Sequence, residues 1–294
     1  MLIKSQLILL FGQKAVNHIY MNNNKQLILG IIGGLGPEVD ALFIKAIRNH
    51  TVAETDQDHI CIKLLSDPTI PDRINAVLSN DPIFRESIVD KFNAILSQLG
   101  DVEAVAIPCN TSMHFINSLK SEAKIINIVD ETVKAVKEKA SESTKIGIMA
   151  TDGALHAGLY HNALKSTNLV PVSPGKDMQA KIMEIIFRIK QTGKGREEDF
   201  NIVLEHLLER GCKYVIIGNT ELSYFSQNNS LPQCIDSLTV LAKVSIETVG
   251  KKYKEFSPSE PKKPCLIGKE ENNYLTPLPI RVKTDSRYVW RIVI

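Results

Sequence analysis

The chain has few aromatic residues and almost no net charge. It has one tryptophan among 294 residues, and 35 basic against 33 acidic residues give a formal charge of +2. A nucleic-acid-binding surface needs clustered basic side chains, often beside aromatic residues on which bases stack. The sequence shows no such cluster, so we do not expect the chain to bind nucleic acid.

Long apolar runs are also lacking. No segment approaches the roughly 18 apolar residues that a membrane span needs, so we expect no membrane association. The stretch SQLILLFGQKAV near the N-terminus has only a short apolar core, which Gln13 and Lys14 interrupt. It lacks a clear small-residue cleavage site, and we therefore do not interpret it as a secretory signal.

Paired cysteines and metal-ligand patterns are missing as well. The five cysteines are Cys61, Cys109, Cys212, Cys234 and Cys265. Their number is odd, none lies in a Cys-x-x-Cys spacing, and none has a nearby set of histidines. Free thiols in a reducing, cytoplasmic compartment are the simplest interpretation. His59 and His114 are interpreted as structural, because nothing with ligand spacing accompanies them.

What the chain does have is an alternation of short apolar runs with segments of helical periodicity. Strands are predicted over residues 27–32, 59–65, 102–107, 125–129, 145–149, 168–172 and 213–218. Apolar residues three and four positions apart predict helices around 81–99, 154–166, 178–190, 198–210 and 236–254. This order indicates an α/β fold, with parallel sheets covered by helices on both faces.

The alternation occurs twice. Each half has an amphipathic helix that ends in glycine, then a strand, then a turn containing Asn-Thr. We therefore expect a first α/β domain over 27–129, completed by a C-terminal helix within 223–256, and a second over 130–222. Ligands bind such sheets at the carboxyl ends of their strands, so the two turns should face each other across a cleft.

The two ends of the chain lack this alternation. Residues 1–26 are interpreted as an N-terminal extension. Residues 257–294 are rich in Pro, Lys and Glu and are interpreted as a tail.

The stretch AVAIPCNTSMHF, residues 104–115, runs from a predicted strand into a polar turn. Cys109 lies where that strand should give way to a helix, whose unpaired N–H groups could stabilise a thiolate. Asn110 and Thr111 follow at once. We interpret Cys109 as a nucleophile or base, the alternative being a small buried hydrophobic residue. The stretch YVIIGNTELSYF, residues 214–225, has the same arrangement, with Asn219 at the second turn position.

Two further segments suggest that a small anion binds. The glycine-rich GIIGGLGPEVD, residues 30–40, does not match a dinucleotide fingerprint, and its glycines more simply permit close approach to a small anion or to the facing domain. Arg73 could hold a carboxylate through two parallel hydrogen bonds, unless it is an ordinary surface arginine. Lys190, taken alone, would be a lysine at a helix C-terminus that interacts with the helix dipole.

Together these segments resemble the aspartate/glutamate racemase family, the cofactor-independent group that includes aspartate racemase. GIIGGLGP is similar to the family's N-terminal loop, and DQDH and IPDR are similar to its second-strand motifs. IPCNT resembles the first catalytic-cysteine motif and GNTE the second. The resemblance extends over about residues 27–250, in the family's order and spacing.

The resemblance implies two α/β domains related by a pseudo-twofold axis, a homodimer, and no metal or pyridoxal cofactor. It also implies two thiols on opposite faces of an acidic amino acid, one removing the α-proton and the other returning it. Cys109 matches the first thiol, and Arg73 and Lys190 match the residues that hold the distal carboxylate. Three residues match groups around the α-carboxylate and amine: Asn110, Thr111 and Thr220.

The sequence departs from the family pattern at three places. Asn219 stands where the second thiol is usual, and an amide is not a proton-transferring base at neutral pH. Cys212 cannot replace that thiol, because seven residues of strand span roughly 23 Å at about 3.3 Å each. Met113 stands at a position where histidine is common, with His114 one residue further on. Asp40 stands in place of a threonine and should add negative charge near an acidic ligand.

These departures leave three hypotheses. The first is a racemase or epimerase acting at the α-carbon of a small acidic amino acid or related carboxylate, with Cys109 as its only thiol base. The second is one-sided chemistry, such as decarboxylation or isomerisation. The third is a protein that binds the ligand without turnover.

Overall fold

The computed structural model describes residues 27–255. The extension predicted for residues 1–26 and the tail predicted for residues 257–294 lie outside this range, as does Cys265.

Two parallel four-stranded sheets form the framework. The first contains β1 (Ile28–Gly33), β2 (Cys61–Ser66), β3 (Ala104–Ala106) and β4 (Lys124–Ile126), in the order β2-β1-β3-β4. The second contains β5 (Lys145–Ala150), β6 (Val170–Val172), β7 (Tyr214–Gly218) and β8 (Cys234–Asp236), in the order β6-β5-β7-β8. The two sheets therefore have the same strand order, which confirms the predicted fold of two similar α/β units.

Ten α-helices flank the sheets within residues 27–255. They are α1 (Pro37–His50), α2 (Arg73–Ser79), α3 (Pro82–Leu99), α4 (Ile128–Lys139), α5 (Asp152–His156), α6 (Leu159–Leu164), α7 (Lys176–Thr192), α8 (Glu197–Glu209), α9 (Ser223–Ser226) and α10 (Ser237–Thr248). Two short 3-10 helices cover Asp56–Asp58 and Thr111–Ser118. None of these helices is long and apolar enough to cross a membrane.

The central strands are apolar because helices cover both faces of each sheet. Ile31 and Ile32 in β1, and Ile216 and Ile217 in β7, are completely buried. Only the ends of such strands can present polar side chains to a ligand. The pairing of β5 with β7 ends with Ala150 opposite Gly218, so the turns after these two strands begin side by side.

The predicted C-terminal boundary of the strand over 125–129 is wrong. β4 stops at Ile126, and α4 begins at Ile128 because the Asn127 side chain accepts hydrogen bonds from the N–H groups of Val129 and Asp130. The apolar run passes from strand into helix without a break, so its periodicity does not reveal the boundary.

Glycines account for two other differences from the predicted helices. The helix predicted over 154–166 is divided into α5 and α6 at Gly158, which has a φ of 64°. The helix predicted over 236–254 ends at Thr248, shortly before Gly250 with a φ of 74°. Five regular elements had no predicted residue range of their own: α1, α2, α4, α9 and the three-residue strand β8.

The C-terminal part of the described chain contacts both units. β8 lies in the second sheet beside β7, whereas α10 packs against both α1 and α4. Both β8 and α10 fall within residues 223–256, the range assigned to the first domain. The domain boundaries themselves stay a prediction.

Candidate active site

A small pocket lies where the turns after the strands of the two sheets meet. The turn after β3 contributes Cys109, Asn110 and Thr111, and the turn after β7 contributes Asn219, Thr220 and Glu221. Arg73, at the start of α2, and Lys190, near the end of α7, add two cations, and Asp72 and Thr151 also line the pocket. The structure thus brings all seven predicted site residues into one pocket, together with Glu221.

Hydrogen bonds join the two turns to each other and to their neighbours. Thr220 Oγ1 donates to the Pro108 carbonyl oxygen at 3.1 Å, next to Cys109. The hydroxyls of Thr111 and Thr151 lie 3.0 Å apart, and both side chains are buried. Thr151 lines the pocket but was not predicted as a site residue. It directly follows β5, so a search for polar residues immediately after each predicted strand would have found it.

Cys109 has a half-buried, unpaired thiol. Its N–H donates to the Ile107 carbonyl oxygen at 2.7 Å, which turns the chain sharply after β3. The helix expected to follow is the 3-10 helix Thr111–Ser118, which begins directly after Asn110. Cys109 therefore directly precedes the N-cap residue of this helix, as the sequence predicts.

A buried polar chain fixes the orientation of Asn110. The Tyr160 hydroxyl donates to Asn110 Oδ1 at 2.5 Å, and Asn110 Nδ2 donates to Ser237 Oγ at 3.1 Å. Burial raises the pKa of Tyr160 well above its usual range, so its hydroxyl keeps its proton and remains a donor. This role was not predicted, because Tyr160 fits the apolar pattern of a helix.

The side-chain amide of Asn219 is hydrogen-bonded within its own turn. Its Nδ2 donates to Glu221 Oε2 at 2.8 Å, and its Oδ1 accepts from the Leu222 N–H at 3.2 Å. Asn219 is buried. It therefore stabilises the turn that carries Glu221, and offers the pocket an amide without acid–base capacity at neutral pH.

Arg73 is a buried cation held by carbonyl oxygens. Asp72 caps α2, accepting from the Asn75 N–H at 2.7 Å, and so places Arg73 in the first turn. The guanidinium donates to three carbonyl oxygens, at 2.9 to 3.2 Å: those of Leu35, Ile70 and Pro71. Its Nε is buried without a hydrogen-bond partner. In the described part of the chain no carboxylate pairs with this cation, so its charge is available to an anionic ligand.

Lys190 has a carboxylate partner, whereas Arg73 contacts only carbonyl oxygens. Its Nζ lies 3.3 Å from Oε1 of Glu221, whose side chain is only 4% exposed. The side chain of Lys190 is 26% exposed, so it reaches into the pocket from the solvent side. The pocket therefore contains one unpaired cation and one ion pair.

The remaining departures from the family pattern lie outside the pocket. Asp40 was expected to place negative charge near the ligand, but its side chain does not line this pocket. Its carboxylate accepts from the Gly34 N–H and from Ser66 Oγ, at 2.9 and 2.6 Å, and so holds the glycine-rich loop. His114 Nε2 lies 2.9 Å from Arg85 Nη1, and burial together with this guanidinium lowers the pKa of the histidine.

The buried thiol of Cys212 also lies outside the pocket, as the strand length predicts. Burial raises the pKa of this thiol, so Cys212 is also poorly suited to act as an acid–base catalyst. Among residues 27–255, no group of three or more His, Cys, Asp or Glu side chains could hold a metal ion.

The pocket is closed around its polar groups. Its volume is about 10 Å³, close to the roughly 10–15 Å³ that a single water needs. A four-carbon amino acid is several times larger than a water molecule. Ligand entry therefore requires some of the lining side chains to move.

Comparisons with known proteins agree with this geometry. The sequence profile of a family described as Asp/Glu/Hydantoin racemase matches residues 32–244, well over half of the chain. The structure of Picrophilus torridus aspartate racemase is 27% identical, with a TM-score of 0.68, over 78% of this chain and 96% of that chain.

Two further matches are more distant or shorter. A putative Asp/Glu racemase from Yersinia pestis is 19% identical, with a TM-score of 0.62, over 76% of this chain and 99% of that one. An uncharacterized protein in the pnlA 3' region of Pectobacterium carotovorum subsp. carotovorum is 29% identical over 139 residues, which are 45% of this chain and 91% of that protein.

Removing the Tyr160 hydroxyl should destabilise the protein measurably. Tyr160→Phe leaves Asn110 Oδ1 buried without its donor, which costs about 1–3 kcal/mol. In a chain of this size that loss lowers the Tm by about 2–12 °C. Tyr214→Phe is the matched control, because the Tyr214 hydroxyl makes only an exposed 3.3 Å hydrogen bond to Lys139. Equal melting curves for the two variants, measured by calorimetry, would contradict this assignment.

Proposed function

The chain belongs to the Asp/Glu/Hydantoin racemase family, and we propose that it acts at the α-carbon of a small acidic amino acid or a closely related carboxylate. The observation that carries this proposal is the pocket itself. It combines the half-buried Cys109 thiol with the Arg73 guanidinium, which no carboxylate of the described chain neutralises.

Arg73 is the proposed anchor for the distal carboxylate of the ligand. Its Nε is a buried donor without a partner, and its other nitrogens are fixed by carbonyl oxygens. A carboxylate that binds there would satisfy the donor and neutralise the charge without disturbing the guanidinium. The likeness to Picrophilus torridus aspartate racemase supports an acidic amino acid as the ligand.

Cys109 is the proposed base. Its thiolate takes the α-proton, which leaves a carbanion at the α-carbon and a neutral thiol. The same thiol then returns a proton to the face from which one was taken. If the thiol has exchanged its hydrogen with solvent in the meantime, the amino acid acquires a solvent hydrogen and keeps its configuration.

Asn110, Thr111 and Thr220 are proposed to bind the α-carboxylate and the amine. Thr111 and Thr220 are already tied to Thr151 and Pro108 by hydrogen bonds. Because these bonds fix the positions of their hydroxyl groups, little ordering is needed when a ligand binds.

Asn219 favours a second candidate function. With an amide at the position of the second thiol, one-sided chemistry such as decarboxylation or isomerisation needs only the proton handled by Cys109. Loss of a carboxylate as carbon dioxide would separate this candidate from racemisation, and stable binding without any exchange would indicate a protein without turnover.

A cytoplasmic homodimer that works without a metal or pyridoxal cofactor is part of the same proposal. The free thiols and the family resemblance support it. The mass of the native protein by light scattering would test the dimer.

Arg73→Ala should weaken the binding of aspartate or glutamate at least tenfold. A hydrogen bond to a charged group contributes about 1.5–3 kcal/mol, and about 1.4 kcal/mol corresponds to a factor of ten. Titration calorimetry measures the change, with Arg188→Ala as the control because Arg188 pairs with exposed Glu184 on the outside of α7. Unchanged affinity in Arg73→Ala would show that the carboxylate binds elsewhere.

Cys109→Ala should abolish exchange of the α-proton with deuterium oxide, as followed by proton NMR. Cys61→Ala should leave exchange intact, because the Cys61 thiol lies in β2 and outside the pocket. Asn219→Cys supplies a second thiol and should raise the rate of racemisation. Exchange that survives in Cys109→Ala would require a different base and would refute the proposed mechanism.

A further inference from the structure

Glu221 is a buried carboxylate in the pocket that the proposed proton transfer does not use. We propose that Glu221 receives the ammonium group of the ligand, in exchange for Lys190, and thereby selects amino dicarboxylates over dicarboxylates that lack the amine. This inference rests on the proposed function, because it assumes that Arg73 binds one carboxylate of the same ligand.

The position of Glu221 is fixed independently of Lys190. Its Oε2 accepts from Asn219 Nδ2 at 2.8 Å, and its side chain is only 4% exposed. The glycine-rich loop approaches it closely, since a Cβ at Gly36 would lie 3.0 Å from Oε1. The carboxylate thus keeps its place when the partner of Oε1 changes.

Lys190 is the more exposed partner of the ion pair. It lies in the last turn of α7, on a long flexible side chain that is 26% exposed. Its Nζ is 3.3 Å from Oε1, longer than the usual 2.7–2.9 Å of a close charge-assisted hydrogen bond. A ligand can therefore draw the Lys190 ammonium away from Glu221 at lower cost than it could move the buried carboxylate.

Charge pairing explains why the exchange would favour one class of ligand. Without ligand the pocket has two cations, Arg73 and Lys190, and one buried anion, Glu221. Asp72 also lines the pocket, but it is less buried and its carboxylate caps α2. An amino dicarboxylate brings two anions and one cation. If its ammonium pairs with Glu221 while Arg73 and Lys190 hold its distal carboxylate, the three cations of the filled pocket balance its three buried anions.

A dicarboxylate without the amine cannot complete this set. Its second carboxylate competes with Glu221 for Lys190, and one of the two anions is left buried without a cation. Buried unpaired charges are strongly unfavourable. The pocket should therefore discriminate against succinate, although succinate has the same two carboxylates as aspartate.

The size of the pocket supports an exchange rather than simple addition. With Lys190 against Glu221, the remaining volume is about 10 Å³, close to that of a single water and too small for an amino acid whose ammonium group lies against the carboxylate. Displacing Lys190 provides this space at the point where the ammonium would bind.

The test is titration calorimetry of aspartate and succinate with the full-length unmodified protein and with Glu221→Gln. The unmodified protein should bind aspartate at least tenfold more tightly than succinate. Glutamine keeps an oxygen for Asn219 but has no charge for an ammonium group. In Glu221→Gln, aspartate should therefore bind at least tenfold more weakly, whereas succinate should bind as well as before or better, because Lys190 is no longer neutralised.

Glu184→Gln is the control, since Glu184 lies in the same helix as Lys190 but is 60% exposed and pairs with Arg188. It should leave the aspartate-to-succinate ratio unchanged. Equal binding of aspartate and succinate by the unmodified protein would overturn the inference, and this comparison needs no variant.

A parallel loss of both ligands in a folded Glu221→Gln protein would also overturn it. Tight binding of aspartate that persists in Glu221→Gln but disappears in Arg73→Ala would refute the role of Glu221 and leave the proposed function standing. Failure of the unmodified protein to bind either ligand would contradict the proposed function and the inference together.

Discussion

The whole site depends on one constraint, the meeting of two turns at the carboxyl ends of strands in two sheets with the same topology. The hydrogen bond from Thr220 to the Pro108 carbonyl oxygen joins the turns after β7 and β3 directly. The contact between Thr111 and Thr151 joins the turn after β3 to the turn after β5. Because the central strands are too deeply buried to present polar groups, these turns carry most of the chemistry.

Within this symmetric framework the two turns have different chemical roles. One turn presents the Cys109 thiol, and the other presents Asn219, which is occupied by hydrogen bonds to its own turn. The proposed mechanism is therefore one-sided, with a single group able to move a proton. The charged groups follow a similar division, since Arg73 has no carboxylate partner in the described residues whereas Lys190 is paired with Glu221.

The fold and the grouping of the polar turn residues in one pocket could be predicted from the sequence because both follow from local patterns. Runs such as KYVIIG mark buried strands, and polar residues directly after them mark the ligand-binding edge. The boundary at Asn127 was missed because a capping side chain decides it within one apolar run. The roles of Tyr160, Asp40 and Glu221 depend on hydrogen bonds and ion pairs between distant segments, which sequence spacing does not reveal.

The central claim is that a single thiol handles the proton on one face of the ligand. The most direct test compares two rates for the unmodified protein in deuterium oxide, the loss of the α-proton by NMR and the inversion of configuration by chiral chromatography. One enantiomer of aspartate should exchange its α-proton much faster than it inverts, because the thiol returns hydrogen to the same face. Equal rates of exchange and inversion would contradict the account, since they would require a second proton donor on the opposite face.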